Sequence, residues 1–146
     1  MREVFADTVY WVAIIKRDDP YEAAAKEARQ AVEPCILVTT DEVLDEFVTA
    51  FAKGGPILRK KAVQTVKAIL NSPSARVVAQ SRDSFLRALE RFSNRPDKDY
   101  SLTDCSSMNA MDAEEIKDAL TNDHHFEQEG YNILMRPVTS GWGEHY

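Results

Sequence analysis

The sequence lacks long hydrophobic runs and has only two cysteines among its 146 residues. No apolar segment approaches the ~20 residues of a membrane-spanning helix, and we expect no membrane association. Glu3 and Asp7 fall where the apolar core of a signal peptide would lie, so we expect a cytoplasmic protein. Cys35 and Cys105 are 70 positions apart, with no CxxC motif. This spacing favours two reduced, buried thiols over a zinc site.

The charge is distributed unevenly along the chain. The formal net charge is −6, and 44% of the residues are apolar, which is typical of one domain over residues 1–146. Residues 53–98 hold 11 of the 18 Lys and Arg but only three acids, a net charge of +8, which leaves −14 for the rest. An acidic body with a basic band suits a polyanionic substrate, although solvated helix faces would give the same count.

Segments of strand character alternate with segments of helical character. CILVTT at 35–40 reads as a buried strand, and the further strands are predicted at 3–7, 75–80, 116–123 and 131–135. This alternation predicts an α/β fold, with a mainly parallel central sheet of four to five strands flanked by helices. Such sheets bind ligands outside the carboxyl ends of their strands, which is where Asp7 and Asp123 fall.

Capping residues mark the starts of several predicted helices. Asp19 and Pro20 predict the N-cap and first position of a helix over 18–32. Thr40 is placed to cap DEVLDEFVTAF, and Ser81 to cap SRDSFLRALERF. In the second of these helices, the residues expected to face inward are Phe85, Leu89 and Phe92.

Four acidic positions share a setting at a strand end or early in the next helix. They are Asp7, Asp104, Asp123 and one member of DEVLDE, in which periodicity leaves Asp45 and Glu46 tied. Asp104 lies among apolar neighbours on a helix without Lys or Arg, where a carboxylate is costly unless it is paired or metal-bound. The alternative is that Asp104 accepts hydrogen bonds near the start of its helix.

Several carboxylates in one pocket repel one another unless a cation is present. Hard oxygen ligands of this kind select Mg²⁺ or Mn²⁺, and the matching chemistry is phosphoryl or phosphodiester transfer. No protein nucleophile is needed, which agrees with the lack of any Ser–His–Asp or Cys–His motif. A haloacid-dehalogenase-like phosphatase is disfavoured because Val9 replaces its second aspartate, and a response-regulator receiver lacks its paired acid and late lysine.

Four segments together resemble the motif regions of PIN-domain ribonucleases. They are FADTVYW at 5–11, TTDEVLDEFVTAF at 39–51, DYSLTDCSSM at 99–108 and ALTNDHHFEQEGY at 119–131. They occur in order and span nearly the whole chain, and they are most similar to the toxin half of VapBC toxin–antitoxin pairs. The resemblance implies an Mg²⁺- or Mn²⁺-dependent endoribonuclease. The alternative is a non-catalytic PIN-fold module that binds RNA or protein.

The resemblance also implies roles for individual residues. The catalytic, metal-binding acids would be Asp7, Glu46, Asp104 and Asp123, with Asp99 as an additional metal-binding acid. Thr8 and Thr121 would orient carboxylates or water. His124 and His125 would belong to the turn after Asp123, at the surface or, for His125, packed near Phe126. Metal ligation by either histidine is the less favoured alternative, and a contact of His124 with a substrate phosphate stays open.

The implied partners are RNA, an antitoxin and a second copy of the chain. In the basic band we expect RNA phosphates to meet Lys60, Lys67, Arg87 or Arg91. Part of an apolar set is expected to line a dimer interface or a groove for the antitoxin tail, the default for each member being the core. The members of this set are Val9, Tyr10, Trp11, Ile14, Phe47 and Phe51.

Overall fold

The structure is a computed structural model, and it describes residues 1–136. This part of the chain forms five strands and seven helices. In order they are β1 (Arg2–Ala6), α1 (Thr8–Ile15), α2 (Glu22–Ala31), β2 (Cys35–Thr40), α3 (Asp41–Thr49), α4 (Gly55–Asn71), β3 (Ala75–Val78), α5 (Arg82–Ser93), α6 (Leu102–Ala113), β4 (Asp118–Leu120), α7 (His124–Gln128) and β5 (Asn132–Ile133). None of these helices is long and apolar enough to cross a membrane.

The strands form one sheet in the order β3-β2-β1-β4-β5, and every pair is parallel. The predicted α/β fold is thus confirmed. Val4, Phe5 and Ala6 of the central strand are fully buried, because helices cover both faces of a parallel sheet. Since the strands all point the same way, the residues after β1, β2 and β4 meet at one edge.

Most of the apolar set that we expected to contribute to a groove builds the core instead. Tyr10 and Trp11 of α1, Phe47 of α3 and Phe51 just beyond it are all buried in the core cluster. Val9 and Ile14 are partly buried against that cluster. Helices α1 and α3 turn these side chains toward each other and the sheet, which leaves none of the four aromatic rings free for a partner.

Several predicted element boundaries are displaced, including the ends of β3 and β5, and two of them concern residues with a capping role. Helix α2 begins at Glu22, because the Asp19 carboxylate accepts the Tyr21 backbone N–H at 2.8 Å and holds a turn there. Strand β4 ends at Leu120, before Asp123. Asp123 has extended backbone and caps α7, its side chain accepting a backbone N–H of that helix.

The inward face of α5 differs from the predicted one. Leu89 is 40% exposed and Phe92 50% exposed, and Phe85 is only half-buried. Ala88 is the buried residue of the helix, and the Arg91 side chain, 15% exposed, turns inward beside it. The Arg91 guanidinium forms ion pairs with acids on neighbouring elements. Helix α5 therefore packs through Ala88 and Arg91.

Candidate metal centre

Asp7 occupies the end of the central strand and the N-cap position of α1. Its carboxyl is buried, and the hydroxyl of Thr121 donates a hydrogen bond to Oδ2 at 2.8 Å. Burial raises the pKa of the Asp7 carboxyl to about 7, and the negative charges of Asp104 and Glu46 act in the same direction. Asp104 and Glu46 therefore both lie close enough to Asp7 to repel its negative charge.

Glu46 reaches this edge from α3, which begins where Thr40 accepts the Val43 backbone N–H at 3.1 Å. The hydroxyl of Thr8, the residue after Asp7, donates to Glu46 Oε1 at 2.6 Å. The structure thus places Glu46 beside Asp7. Asp45 and Glu46 are both exposed on this helix, but within the described residues no hydrogen bond joins Asp45 to Thr8 or Asp7.

Asp104 combines a local role with a place in the cluster. Ser101 and Asp104 form a capping box at the start of α6, in which the Ser101 N–H donates to Asp104 Oδ2 at 3.1 Å. The Asp104 side chain is only 14% exposed. Burial raises its pKa, and the charge of Asp123 adds to this effect, while the Ser101 N–H and His125 oppose it.

Thr121 and Asp123 complete the edge. The Thr121 hydroxyl accepts the Asp123 N–H at 3.1 Å while it donates to Asp7, so one side chain links two of the acids. Asp123 Oδ1 accepts the His125 backbone N–H at 2.9 Å. Capping of α7 therefore holds the Asp123 carboxylate toward the first turn of that helix.

His125 lies inside the cluster, where the sequence had placed only carboxylates. Its Nδ1 is 3.3 Å from Asp104 Oδ2 and 3.3 Å from Asp123 Oδ1. The side chain is 20% exposed, whereas that of His124 is 71% exposed and its Nδ1 is 4.0 Å from Asp123 Oδ1. The signal in the sequence is position: the second residue after an aspartate N-cap places its backbone, and with it its side chain, near that carboxylate.

Asp99 is not brought into this cluster. Its side chain is exposed in the loop before α6, and no ion pair or hydrogen bond from it occurs among residues 1–136. The predicted additional acid therefore stands apart from the other four in this arrangement. Glu46 also borders a cleft of about 330 Å³, which includes Phe85, Thr103 and Ser106 among its lining residues.

The sequence profile of the PIN domain matches residues 4–129. The chain belongs to the PIN domain family. Its fold is similar to that of Mycobacterium tuberculosis VapC20, described as a sarcin-ricin loop cleaving toxin. The two chains share 26% identity with a TM-score of 0.77, over 88% of this chain and 95% of that one. A search of the curated proteins found no match. These findings confirm the resemblance seen in the four motif segments.

The residues of this PIN domain fit a divalent cation. Oxygens of Asp104 and Asp123 and a ring nitrogen of His125 all lie within 4.8 Å of one another. Within residues 1–136, no Lys or Arg forms an ion pair with these acids or with Asp7 or Glu46. Crowded carboxylates without a Lys or Arg partner are stabilised by a metal ion, and oxygen donors suit Mg²⁺ or Mn²⁺.

The predicted RNA contacts divide into two groups. Lys60 and Lys67 are exposed on α4, and Arg87 is exposed on α5 in an ion pair with Asp83 at 2.9 Å. Arg91 requires a correction, because its guanidinium is committed within the protein. Its hydrogen-bond partners are Asn109, Asp112, Glu129 and Tyr131, at 3.0 to 3.3 Å.

Proposed function

We propose that this PIN domain is a divalent-metal-dependent endoribonuclease and acts as the toxin of a VapC-type toxin–antitoxin pair. The observation that carries the proposal is a group of four carboxylates at one sheet edge that form no ion pair with Lys or Arg within residues 1–136, two of them with raised pKa values. The likeness to VapC20, a toxin that cleaves the sarcin-ricin loop, supports RNA as the substrate class. RNA and an antitoxin would be met in the cytoplasm.

Asp7, Asp104 and Asp123 would hold the cation, which is Mg²⁺ or Mn²⁺ in this proposal, with Glu46 as the fourth acid. When bound, the ion supplies an acidified water for in-line hydrolysis and offsets the charge that develops on the phosphate. Thr121 keeps the Asp7 and Asp123 groups at a fixed separation through its two hydrogen bonds. Thr8 orients Glu46 in the same way.

RNA would approach over the exposed cations of the basic band. Lys60 and Lys67 project from α4, and Arg87 projects from α5. Exposed Lys and Arg bind phosphates by counterion release, so this contact carries no sequence information. Charge on these helices would also balance the repulsion between the phosphodiester backbone and an acidic site.

The proposed partners are an antitoxin and a second copy of the chain. The apolar residues left exposed on α4 and α5 support protein contacts, since large apolar side chains in water favour burial at an interface. They are Ile57, Val63 and Leu70 on α4, and Leu86, Leu89 and Phe92 on α5. These two sets replace the aromatic residues of α1 and α3 as the candidate contact surfaces.

Cleavage of RNA by the purified chain, with and without Mn²⁺ or Mg²⁺, tests the proposal. We expect Asp104→Asn to lose activity by at least about a hundredfold, because it removes a charge that holds the ion and changes little volume. Asp97→Asn, in the exposed loop before α6, is the matched control and should keep full activity. Circular dichroism would show that both variants fold.

Two results would overturn this proposal. Full metal-dependent activity of Asp104→Asn would mean that the ion binds elsewhere. RNA binding without cleavage, under every divalent ion supplied, would indicate a non-catalytic PIN module.

A further inference from the structure

The His125 ring is held in a fixed orientation toward the carboxylates. Its backbone N–H is bound by Asp123, and its ring packs edge-on against Tyr100 with 5.2 Å between the centroids. Tyr100 is itself buried, and its hydroxyl donates to Glu129 at 3.0 Å. With the backbone bound to Asp123 and the ring packed against Tyr100, Nδ1 lies 3.3 Å from a carboxylate oxygen of Asp104 and 3.3 Å from one of Asp123.

Two of the three separations among these donor atoms are close to the edge length of a coordination octahedron, and the third is within 4.8 Å. Nδ1 is 3.3 Å from an oxygen of Asp104 and 3.3 Å from an oxygen of Asp123. Adjacent ligands of an octahedral ion with bonds of about 2.1 Å lie about 3.0 Å apart. The nitrogen therefore lies within a few tenths of an ångström of the spacing that two ligands of one ion have, relative to each carboxylate.

Building on the proposed function, we propose that His125 Nδ1 is a metal ligand and makes this site prefer Mn²⁺ to Mg²⁺. Magnesium strongly favours oxygen donors and parts reluctantly with its waters. Imidazole nitrogen binds first-row transition ions better, so replacing one oxygen donor by this nitrogen biases the site toward manganese. A set of carboxylates alone would lack this bias.

His125→Asn is the informative variant, because the Asn side-chain oxygen can take a position close to that of Nδ1. It exchanges a nitrogen donor for an oxygen donor with little change in shape near the backbone. His124→Asn makes the same change on the neighbouring exposed histidine and is the matched control. Both are made in the full chain, and thermal unfolding followed by circular dichroism reports whether each one folds.

Two measurements on RNA-free protein then test the inference. Calorimetric titration with MnCl₂ and with MgCl₂ gives the ratio of the two Kd values, and pulsed electron paramagnetic resonance of bound Mn²⁺ detects a coordinated ¹⁴N. We expect wild-type protein to bind Mn²⁺ at least tenfold more tightly and to show the nitrogen coupling. His125→Asn should lower the preference at least tenfold and lose the coupling, and His124→Asn should change neither.

The inference is wrong if wild-type protein binds Mn²⁺ without nitrogen coupling, or if His125→Asn leaves the Kd ratio unchanged. Either result spares the proposed nuclease, which depends on the carboxylates. If neither ion binds, both this inference and the proposed function are wrong. If His125→Asn does not fold, the nitrogen coupling of the wild-type protein decides the question. The inference then holds if this coupling persists in His124→Asn and in an Asn variant of His145, the third histidine of the chain.

Discussion

At the residue scale, Asp7 couples the stability of the fold to pH. Its carboxyl has a pKa of about 7 in the folded protein, against 3.8 as the ordinary value, and burial is the main cause. At a pH between these two pKa values, the folded chain binds more protons than the unfolded chain does. The free energy of unfolding therefore falls as pH rises from about 4 to about 7. Above about pH 7 this loss of stability is complete.

Asp7→Asn should remove the contribution of Asp7 to this dependence, since the amide stays neutral and its oxygen can still accept from Thr121. Without metal, we expect the variant to be more stable than wild type at pH 8. The gain is up to about 4 kcal/mol, at about 1.36 kcal/mol per unit of pKa, and it should vanish by pH 4. Urea unfolding in EDTA across this range measures it.

Asp45→Asn on α3 is the control for this measurement, because its carboxyl is exposed. It should follow wild type at every pH. A gain in Asp7→Asn that is the same at pH 4 and pH 8 would show that packing, and not the buried charge, causes it.

At the scale of the elements, Arg91 connects α5 to α6 and to the end of α7. Its guanidinium bridges Asp112 and Glu129, each at 3.0 Å. Arg91→Met would leave the mostly buried Glu129 with only Arg95 and Tyr100 as partners within residues 1–136, and we expect a loss of about 1.5–3 kcal/mol in the free energy of unfolding. Arg87→Met, which removes an exposed ion pair on the same helix, should cost less than about 0.5 kcal/mol.

Equal costs for the two substitutions in urea unfolding would contradict the structural role of Arg91. The same pair of variants separates stability from RNA binding. Arg87→Met should weaken RNA binding while Arg91→Met, measured where it is folded, should not.

The exposed cations of α4 and α5 are expected to act together on RNA. In an Asp104→Asn background, which prevents cleavage, we predict that Lys60→Glu, Lys67→Glu and Arg87→Glu combined weaken RNA binding. The slope of log K against log salt should become shallower by about one unit per lost contact. Binding titrations between about 50 and about 200 mM salt give this slope.

The matched control reverses the same number of charges on other helices and loops, at Lys16, Arg17 and Lys26, which are also exposed. We expect this variant to keep the wild-type slope. If both triple variants lose slope equally, net charge and not the basic band governs the binding.

At the scale of the whole molecule, the exposed apolar side chains of α5 are the better candidate for self-association. Leu86, Leu89 and Phe92 follow one another at intervals of three residues, so they share one side of the helix. Burial of such a surface stabilises association by about 25 cal/mol per Å². We therefore predict a dimer in sedimentation at micromolar concentration, and a shift to monomer in Leu86→Ser/Phe92→Ser.

Ile57→Ser/Leu70→Ser on α4 changes two side chains that are at least as exposed, and it should leave the dimer intact. A wild-type monomer would contradict the homodimer, and dissociation by the α4 pair alone would move the interface to that helix.

Much of this fold could be predicted from the sequence. Thr40 and Ser81 cap α3 and α5 as expected, because capping needs only the local chain. Asp7 and Asp123 were placed at one edge because the carboxyl ends of parallel strands meet there. Periodicity did not show whether Asp45 or Glu46 belongs to the acidic cluster, and the family resemblance favoured Glu46. In the structure the hydroxyl of Thr8, on another helix, holds Glu46 beside Asp7.

Apart from the short helix α7, the sequence by itself determined the order of the strands and helices, most of their starts, and the placement of Asp7 and Asp123 at the sheet edge, since each depends on local pattern or on the rule for parallel sheets. Only the tertiary structure decided the inward turn of Arg91, the exposure of Leu89 and the position of the His125 ring. The physical reason is that rotation of a helix about its axis depends on its packing partners. A buried cation with acidic neighbours can outweigh an apolar stripe, and a ring direction is fixed by contacts distant in sequence.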